Sequence, residues 1–267
     1  MTKIDKIMES LIEKEVPDKE VAVLLSGGVD SLSVAFSAHR LGKKIHAYTF
    51  HLKDQPTYDS DKAKETADTF GWDIDTIIVP TDNLHDDFFT LLNKYKCRKK
   101  TNFECAFPFI YVYPKIKEKY ILTGMGFDDF YGLTKRCAIH FKTPKSKFDE
   151  YRLKTHYQPN NDGMDQHLYL CQEYNKILVS IGMKHKEIVN FFMKFDWYGV
   201  NKPFQKHHVR TAYSKEFAKI GKVKQHSNLQ LVANIPTLFE TLLTNKKINF
   251  KKRTRIMDIC RDWNTIW

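Results

Sequence analysis

Residues 21–31 run Val-Ala-Val-Leu-Leu-Ser-Gly-Gly-Val-Asp-Ser, and no other segment restricts the fold as much. Val21 to Leu25 is an unbroken apolar run of strand length containing β-branched valines, the pattern of a strand covered on both faces. It ends in Ser26-Gly27-Gly28, and an apolar, helix-compatible stretch follows from Ser31 to Leu41. A strand, a glycine turn and a helix start in succession form an anion site. The first N–H groups of a helix have no partner within it, and the helix dipole favours negative charge there. Gly27 and Gly28 let the backbone approach an anion with no Cβ in the way. Ser26 and Ser31 offer hydroxyls to the same oxygens, and Asp30 is placed to hold magnesium against phosphates. A plain strand-to-helix turn capped by Asp30 or Ser31 would account for the glycine pair alone, but not for the whole six-residue pattern. The GxxxxGK[ST] spacing of a Walker loop is absent.

Strand and helix patterns alternate on either side of this segment. Ile4, Ile7, Met8, Leu11 and Ile12 recur at helical spacing, which predicts a helix over 2–15 that ends at Pro17 and Asp18. Gly42 closes the helix after the loop, and Ile45 to Phe50 reads as a second strand. A charged amphipathic helix over 59–70 ends at Gly71, and Trp72 to Val79 reads as a third strand. Asp82 to Tyr95 reads as a helix with Asp82 as its cap. Phe107, Phe109, Tyr111 and Tyr113 alternate as on a strand or wall suited to core packing. Tyr120 to Thr123 is a short strand. The expected fold is α/β, a parallel sheet with helices on both faces, followed by a mostly helical C-terminal part. Strand signals stop near residue 150, dividing a core over 1–150 from a helical substrate or lid region over 151–267 packed on it. Helices are expected over Asp165–Met183, Lys186–Phe195, Thr211–Ile220, Leu229–Leu243 and Lys252–Trp263.

The second informative segment is Tyr120-Ile-Leu-Thr-Gly-Met-Gly-Phe-Asp-Asp-Phe-Tyr-Gly132. Gly124 and Gly126 at a strand end, followed by paired acids, suit a loop that approaches a metal-bound polyphosphate. Asp30 and Asp128 would then share one magnesium ion. The simpler reading is a strand-end turn capped by Asp128. Ligands of parallel sheets bind at the carboxyl ends of the strands, where both glycine loops fall.

Ser26 to Ser31 matches the SGGxDS loop of the PP-loop ATP pyrophosphatases, a superfamily with a HUP-like core. Gly124 to Gly132 resembles the G-D-G-x-D-E-x-x-x-G loop of its asparagine synthetase and β-lactam synthetase branch. Met125 replaces that loop's first acid, and Asp129 stands for its glutamate. Asn201-Lys-Pro-Phe-Gln-Lys-His207 is a fainter echo of the same branch's arginine-x-Pro-Phe-Leu-Asp segment, matching at Pro203 and Phe204 but not at the arginine or the acid. The resemblance implies that ATP is split between its α- and β-phosphates, with a carboxylate or carbonyl adenylated and then attacked by a nitrogen nucleophile. It implies ATP and Mg2+ as cofactors, with Ser26, Gly27, Gly28, Ser31, Gly124 and Gly126 around the nucleotide. Adenine is implied beside Leu24, Leu25 and Thr49 to His51, with Leu25 and Phe50 as its contacts. The branch also supplies a C-terminal lysine over the α-phosphate. Lys246, Lys247, Lys251, Lys252, Lys222 and Lys224 are candidates, and Lys251 is taken as the catalytic one. The branch's glutaminase domain is not expected in this chain, since no cysteine follows Met1. Nitrogen would come from ammonia, from a separate glutaminase, or from an amine on the substrate.

Composition narrows the alternatives. Five scattered cysteines without a CxxC pair argue against a disulfide framework, a zinc ribbon and cluster-dependent thiolation. No hydrophobic stretch is long enough to span a bilayer and no signal peptide is evident, so a soluble, cytoplasmic enzyme without a membrane partner is expected. The histidines, including His140 and the pair His207-His208, form no ligand pattern, and structural or surface roles suit them. The net charge of +11 is compatible with a nucleic-acid partner. That leaves two alternatives, a tRNA- or nucleobase-modifying PP-loop enzyme and a degenerate nucleotide- or nucleic-acid-binding protein. Residues 133–165, with Arg136, His140, Lys142, Arg152 and His156, are positioned in sequence to form a lid.

Overall fold

The computed structural model describes residues 3–98, 100–133, 144–157, 163–183, 185–224 and 229–245. Its centre is a five-stranded parallel sheet in the order β3-β2-β1-β4-β5. The strands are β1 Glu20–Leu24, β2 Lys44–Leu52, β3 Asp73–Val79, β4 Tyr120–Thr123 and β5 Ile177–Ser180. Strand β1 shows why the middle strands read as continuous apolar runs. Successive side chains of a strand point to opposite faces, and Val21 and Val23 enter one core while Ala22 and Leu24 enter the other. The first core is covered by α1 (Ile4–Glu15) and α2 (Val29–Arg40). The second is covered by α4 (Leu84–Asn93) and α5 (Lys100–Ala106), which follow α3 (Tyr58–Phe70) in the chain.

The topology fixes where a ligand can bind. Strand β2 lies on one side of β1 and β4 on the other, so the connections leaving β1 and β4 diverge. The crevice outside their carboxyl ends is the switch point at which open α/β sheets take ligands. Helix α2 begins at Val29 in this crevice, directly after the glycine loop. Gly42, after α2, and Gly71, after α3, both adopt positive φ, as expected of glycines that end helices.

Several elements differ from the sequence expectation. Asp165–Met183 is not one helix: α9 (Met164–Glu173) stops and β5 follows as an edge strand paired with β4. Asn175 takes a left-handed φ of 52°, which breaks the helix, and Lys176 then leads into Ile177-Leu178-Val179. The strand signal therefore continues past residue 150. Phe107 to Tyr113 is not a strand: Pro108 precedes the short helix α6 (Phe109–Val112), and a 3₁₀ turn over Tyr113–Lys115 follows. The core role holds for Phe107, Phe109 and Tyr113, which are buried. Asp82 does not cap α4, whose N-cap position is Asn83, with no side-chain cap bond.

Further along come α7 (Phe127–Tyr131), α8 (Lys145–His156), α10 (Lys186–Phe192), α11 (Trp197–Asn201), α12 (His207–Ala212) and α13 (Ser214–Ile220). The expected helix over Leu229–Leu243 is split into α14 (Leu229–Val232) and α15 (Ile235–Asn245), with Pro236 in the first turn of the second. The helix expected over Lys252–Trp263 lies outside the described residues. No described helix is long and apolar enough to cross a membrane.

Candidate nucleotide site

The loop after β1 is organised by its own serines. Ser31 Oγ accepts from the Ser26 backbone N–H at 3.2 Å, lies 3.1 Å from Ser26 Oγ and donates to the Gly28 carbonyl at 3.2 Å. Gly27 has φ +66°, and a Cβ there would lie 2.8 Å from Lys62 Cβ, so the start of α3 closes over the loop where a side chain would otherwise stand. Leu25 is buried and donates its N–H to the Tyr48 carbonyl. The ring of Phe50 packs edge-on to Phe109 in the core, centroids 5.6 Å apart.

The loop after β4 fits against the start of α2. A Cβ on Gly124 would stand 2.5 Å from Ser31 N and 2.7 Å from the Asp30 carbonyl carbon, so only glycine lets the two segments meet. Gly126, at φ +88°, is covered by the Met183 side chain, whose Sδ would lie 2.5 Å from an added Cβ. The carbonyl of Met125, the residue that departs from the resemblance, accepts from Ser180 Oγ at 2.8 Å and ties the loop to β5. Gly124→Ala is accordingly expected to destabilise the protein by about 2 kcal/mol, because backbone on the opposing side cannot rotate away, and to weaken nucleotide binding. Urea unfolding and a nucleotide titration measure the two effects, and an unchanged midpoint would show that the segments part freely.

Asp30, in the first turn of α2, and Asp128, in α7, converge on one atom that sequence reasoning missed. Lys206 Nζ lies 2.6 Å from Asp30 Oδ2 and 2.9 Å from Asp128 Oδ1. It also sits 4.8 Å from the centre of the Tyr131 ring. Lys206 is 3% exposed and holds φ 59°, a backbone region uncommon outside glycine. Its segment is pinned beside α7: Asn201 Nδ2 donates to the Tyr131 carbonyl at 2.7 Å, and Trp197 Nε1 donates to the Gly132 carbonyl at 3.1 Å. Lys206 stands where the arginine-x-Pro-Phe-Leu-Asp pattern has its acid, so the departure from that pattern was the one available signal.

The electrostatics follow from burial and charge count. Burial is the largest influence on the Asp30 carboxyl and pushes its pKa above the usual range, with Lys206 opposing the rise and Asp128 adding to it. For Lys206, burial is also the largest single influence and disfavours the ammonium, but Asp128 and Asp30 together outweigh it and hold the pKa above the usual value. The Tyr131 hydroxyl is buried beside the Asp30 carboxyl, and its hydrogen bond to that carboxyl also opposes the rise of the Asp30 pKa. Arg210, one turn beyond Lys206, donates to the Lys224 carbonyl at 2.8 Å and has its Nε buried without a partner. Burial lowers its pKa, and the nearby Asp30 opposes that.

Other sequence candidates fall elsewhere. Lys251, Lys246, Lys247 and Lys252 lie outside the described residues, as do Arg136, His140 and Lys142. Lys222 and Lys224 are exposed, with Lys224 Nζ 4.1 Å from the centre of the Tyr58 ring. Arg152 and His156 are buried: Arg152 donates to the Phe195 carbonyl at 2.7 Å, and His156 packs on Phe130. His208 contacts the Gly199 carbonyl and His207 packs beside it, a structural use.

The donor set suits one kind of ion. Among the described residues no group of three or more His, Cys, Asp or Glu side chains is assembled to hold a metal. Magnesium needs no such cage, since it binds through one or two carboxylates plus substrate phosphates. Asp30 and Asp128 fit that requirement, since one oxygen of each carboxylate approaches a single point, the one Lys206 Nζ occupies.

A model of the asparagine synthase family matches residues 5–169, well over half of the chain. The protein belongs to the asparagine synthase family. The matched span contains the loop after β1, Asp30, Gly124, Gly126 and Asp128, and membership makes the chain an ATP-utilising synthetase or ligase in kind. No curated protein matches it. Among solved structures it is similar to a "predicted subunit of tRNA methyltransferase" from Methanocaldococcus jannaschii, at 16% identity over 77% of this chain and 94% of that one, TM-score 0.37. It is also similar to NMN synthetase from Francisella tularensis, at 14% identity over 85% of this chain and all of the other, TM-score 0.39. Superpositions that loose say nothing about the chemistry of this asparagine synthase-like site.

Proposed function

We propose that the protein is an ATP-dependent amide ligase that activates a carboxylate or carbonyl by adenylation, releasing pyrophosphate and then AMP. The observation that carries this reading is the convergence of Asp30 and Asp128 from two different strand ends, beside a helix start built to take an anion. The N–H groups at the start of α2, with Ser26 and Ser31, bind the pyrophosphate portion of ATP. Asp30 and Asp128 hold magnesium, which when bound neutralises phosphate charge. Lys206 and Arg210 supply further positive charge beside the phosphates, the role expected of a more C-terminal lysine such as Lys251. Phosphoryl chemistry of this kind depends on positioning and charge neutralisation, so no nucleophilic side chain is required. Adenine rests at the ends of β1 and β2, beside Leu25 and the backbone near Phe50. The attacking nitrogen comes from ammonia, a separate glutaminase or the substrate's own amine.

The test is ATP turnover with magnesium, ammonium and a pool of carboxylates and amines, resolving AMP plus pyrophosphate from ADP plus phosphate. AMP and pyrophosphate are expected, and ADP would overturn the reading. The charge of +11 supports a second acceptor, a tRNA or nucleobase. Turnover that appears only when RNA joins the pool would select it.

A further inference from the structure

The Lys206 ammonium stands between Asp30 Oδ2 and Asp128 Oδ1, where a cation contacting both of those oxygens would sit. It lies within 3 Å of one oxygen of each carboxylate, at 2.6 and 2.9 Å. It is sealed there by the Tyr131 ring and is 3% exposed, so it is built into the site rather than resting on its surface. Magnesium binds carboxylate oxygens at about 2.0–2.1 Å. An ion contacting both of these oxygens would overlap the ammonium and place two cations side by side. The pair carries two negative charges, and one is already answered by Lys206.

We propose that Lys206 is a resident counter-cation that excludes a free divalent ion from Asp30 and Asp128 until a polyphosphate arrives with the ion. Lysine suits the task because its charge is a compact point on a flexible four-carbon stem. The segment leading to Lys206 is tied to α7 by Trp197 and Asn201, while Nζ has the length of the stem in which to move. A polyphosphate brings oxygens that accept the displaced ammonium, so the pair exchanges one cation for another without leaving Lys206 buried and unpaired. The free protein then binds metal poorly, and nucleotide and metal load together. Nothing in the loop sequence Ser26 to Ser31 conveys this; it arises from a lysine at a position where the resemblance has an acid.

The inference rests on Asp30 and Asp128 being the ligands of the ion, and its test separates the two. Manganese uptake is followed by the electron paramagnetic resonance of the free ion, without nucleotide, in the natural protein, Lys206→Met and Lys206→Met/Asp30→Asn. Lys206→Met is expected to bind one manganese at least about tenfold more tightly than the natural protein, the size usual for two coupled binding events. Equal uptake by the two overturns the exclusion. Tight uptake by Lys206→Met that survives Asp30→Asn overturns the ligand assignment instead. The natural protein supplies an arm that no substitution can spoil. Its melting temperature is expected to be the same in magnesium chloride as in sodium chloride of equal ionic strength, and to rise with magnesium plus α,β-methylene-ATP. A rise with magnesium alone overturns the proposal.

Discussion

Replacing Asp30 with asparagine is expected to cut formation of AMP and pyrophosphate by about 10²–10³-fold, as removal of one preorganised charge-stabilising group does elsewhere. The same substitution is expected to leave the melting temperature at or above that of the natural protein. The two results together follow from what the carboxyl costs and what it is for. Burial is the largest influence on Asp30 and pushes its pKa up, so the fold as it stands disfavours the charge, and Lys206 offsets this only in part. The helix dipole at the start of α2 returns about 0.3–1 kcal/mol to an acid in the first turn, a small term beside desolvation. Asparagine keeps the shape, and Lys206 keeps Asp128 at 2.9 Å. A negative charge that the fold disfavours has its use when a cation and a polyphosphate are present. The pair of measurements is the ATP product assay and calorimetry. Lost turnover accompanied by a clear fall in melting temperature would make Asp30 a structural residue.

The part of the site that sequence reveals is the part built from contiguous residues. Val21 to Ser31 contains a strand, its loop and the start of the following helix, and each declares itself by local chemistry: apolar side chains, glycines, hydroxyls and an acid in the first turn. Gly124 to Asp128 is legible for the same reason. Strand β5 is not, because Leu168, Cys171, Tyr174, Ile177, Leu178 and Ile181 fit a helical period as well as a short strand. Four residues of strand are too few to override that pattern, and what decides the matter is pairing with β4, which no local window contains. Phe107 to Tyr113 fails in the opposite sense: an alternating pattern is taken over by helical turns around Pro108 and Pro114. Lys206 is the instructive omission. It meets Asp30 from 176 residues away and Asp128 from 78, through a segment that Trp197 and Asn201 tie to α7. In sequence it is one lysine among many, and the resemblance, which implies a C-terminal lysine, directs the assignment to Lys222, Lys224 and the cluster from Lys246 onward. A lysine is distinguished by burial among acids, which is a property of the folded chain.

Lys206→Met is expected to behave in the opposite way to Asp30→Asn. Lys206 contacts both carboxylates, while Arg210 adds positive charge near Asp30 without a direct contact. Asparagine at 30 leaves Lys206 paired with Asp128, whereas methionine at 206 leaves both carboxylates with no ammonium between them. Removing one side of a buried ion pair costs 3–5 kcal/mol, because the charge left behind is desolvated and unanswered. The Asp128 side chain is 39% exposed, so water answers part of its charge and the expected loss falls to about 3 kcal/mol. Methionine nearly matches the lysine stem in length, so packing is retained and the loss reports the charge. The double variant Lys206→Met/Asp30→Asn is then expected to be more stable than Lys206→Met alone, since the carboxylate whose charge the fold disfavours is gone along with its counter-ion. Denaturant midpoints at constant m-value give the three free energies, and their departure from additivity is the energy by which the cation and carboxylate depend on each other. If the double variant instead sums the two singles, Lys206 and Asp30 act independently, and the loss in Lys206→Met belongs to its Asp128 contact and the packing of its stem.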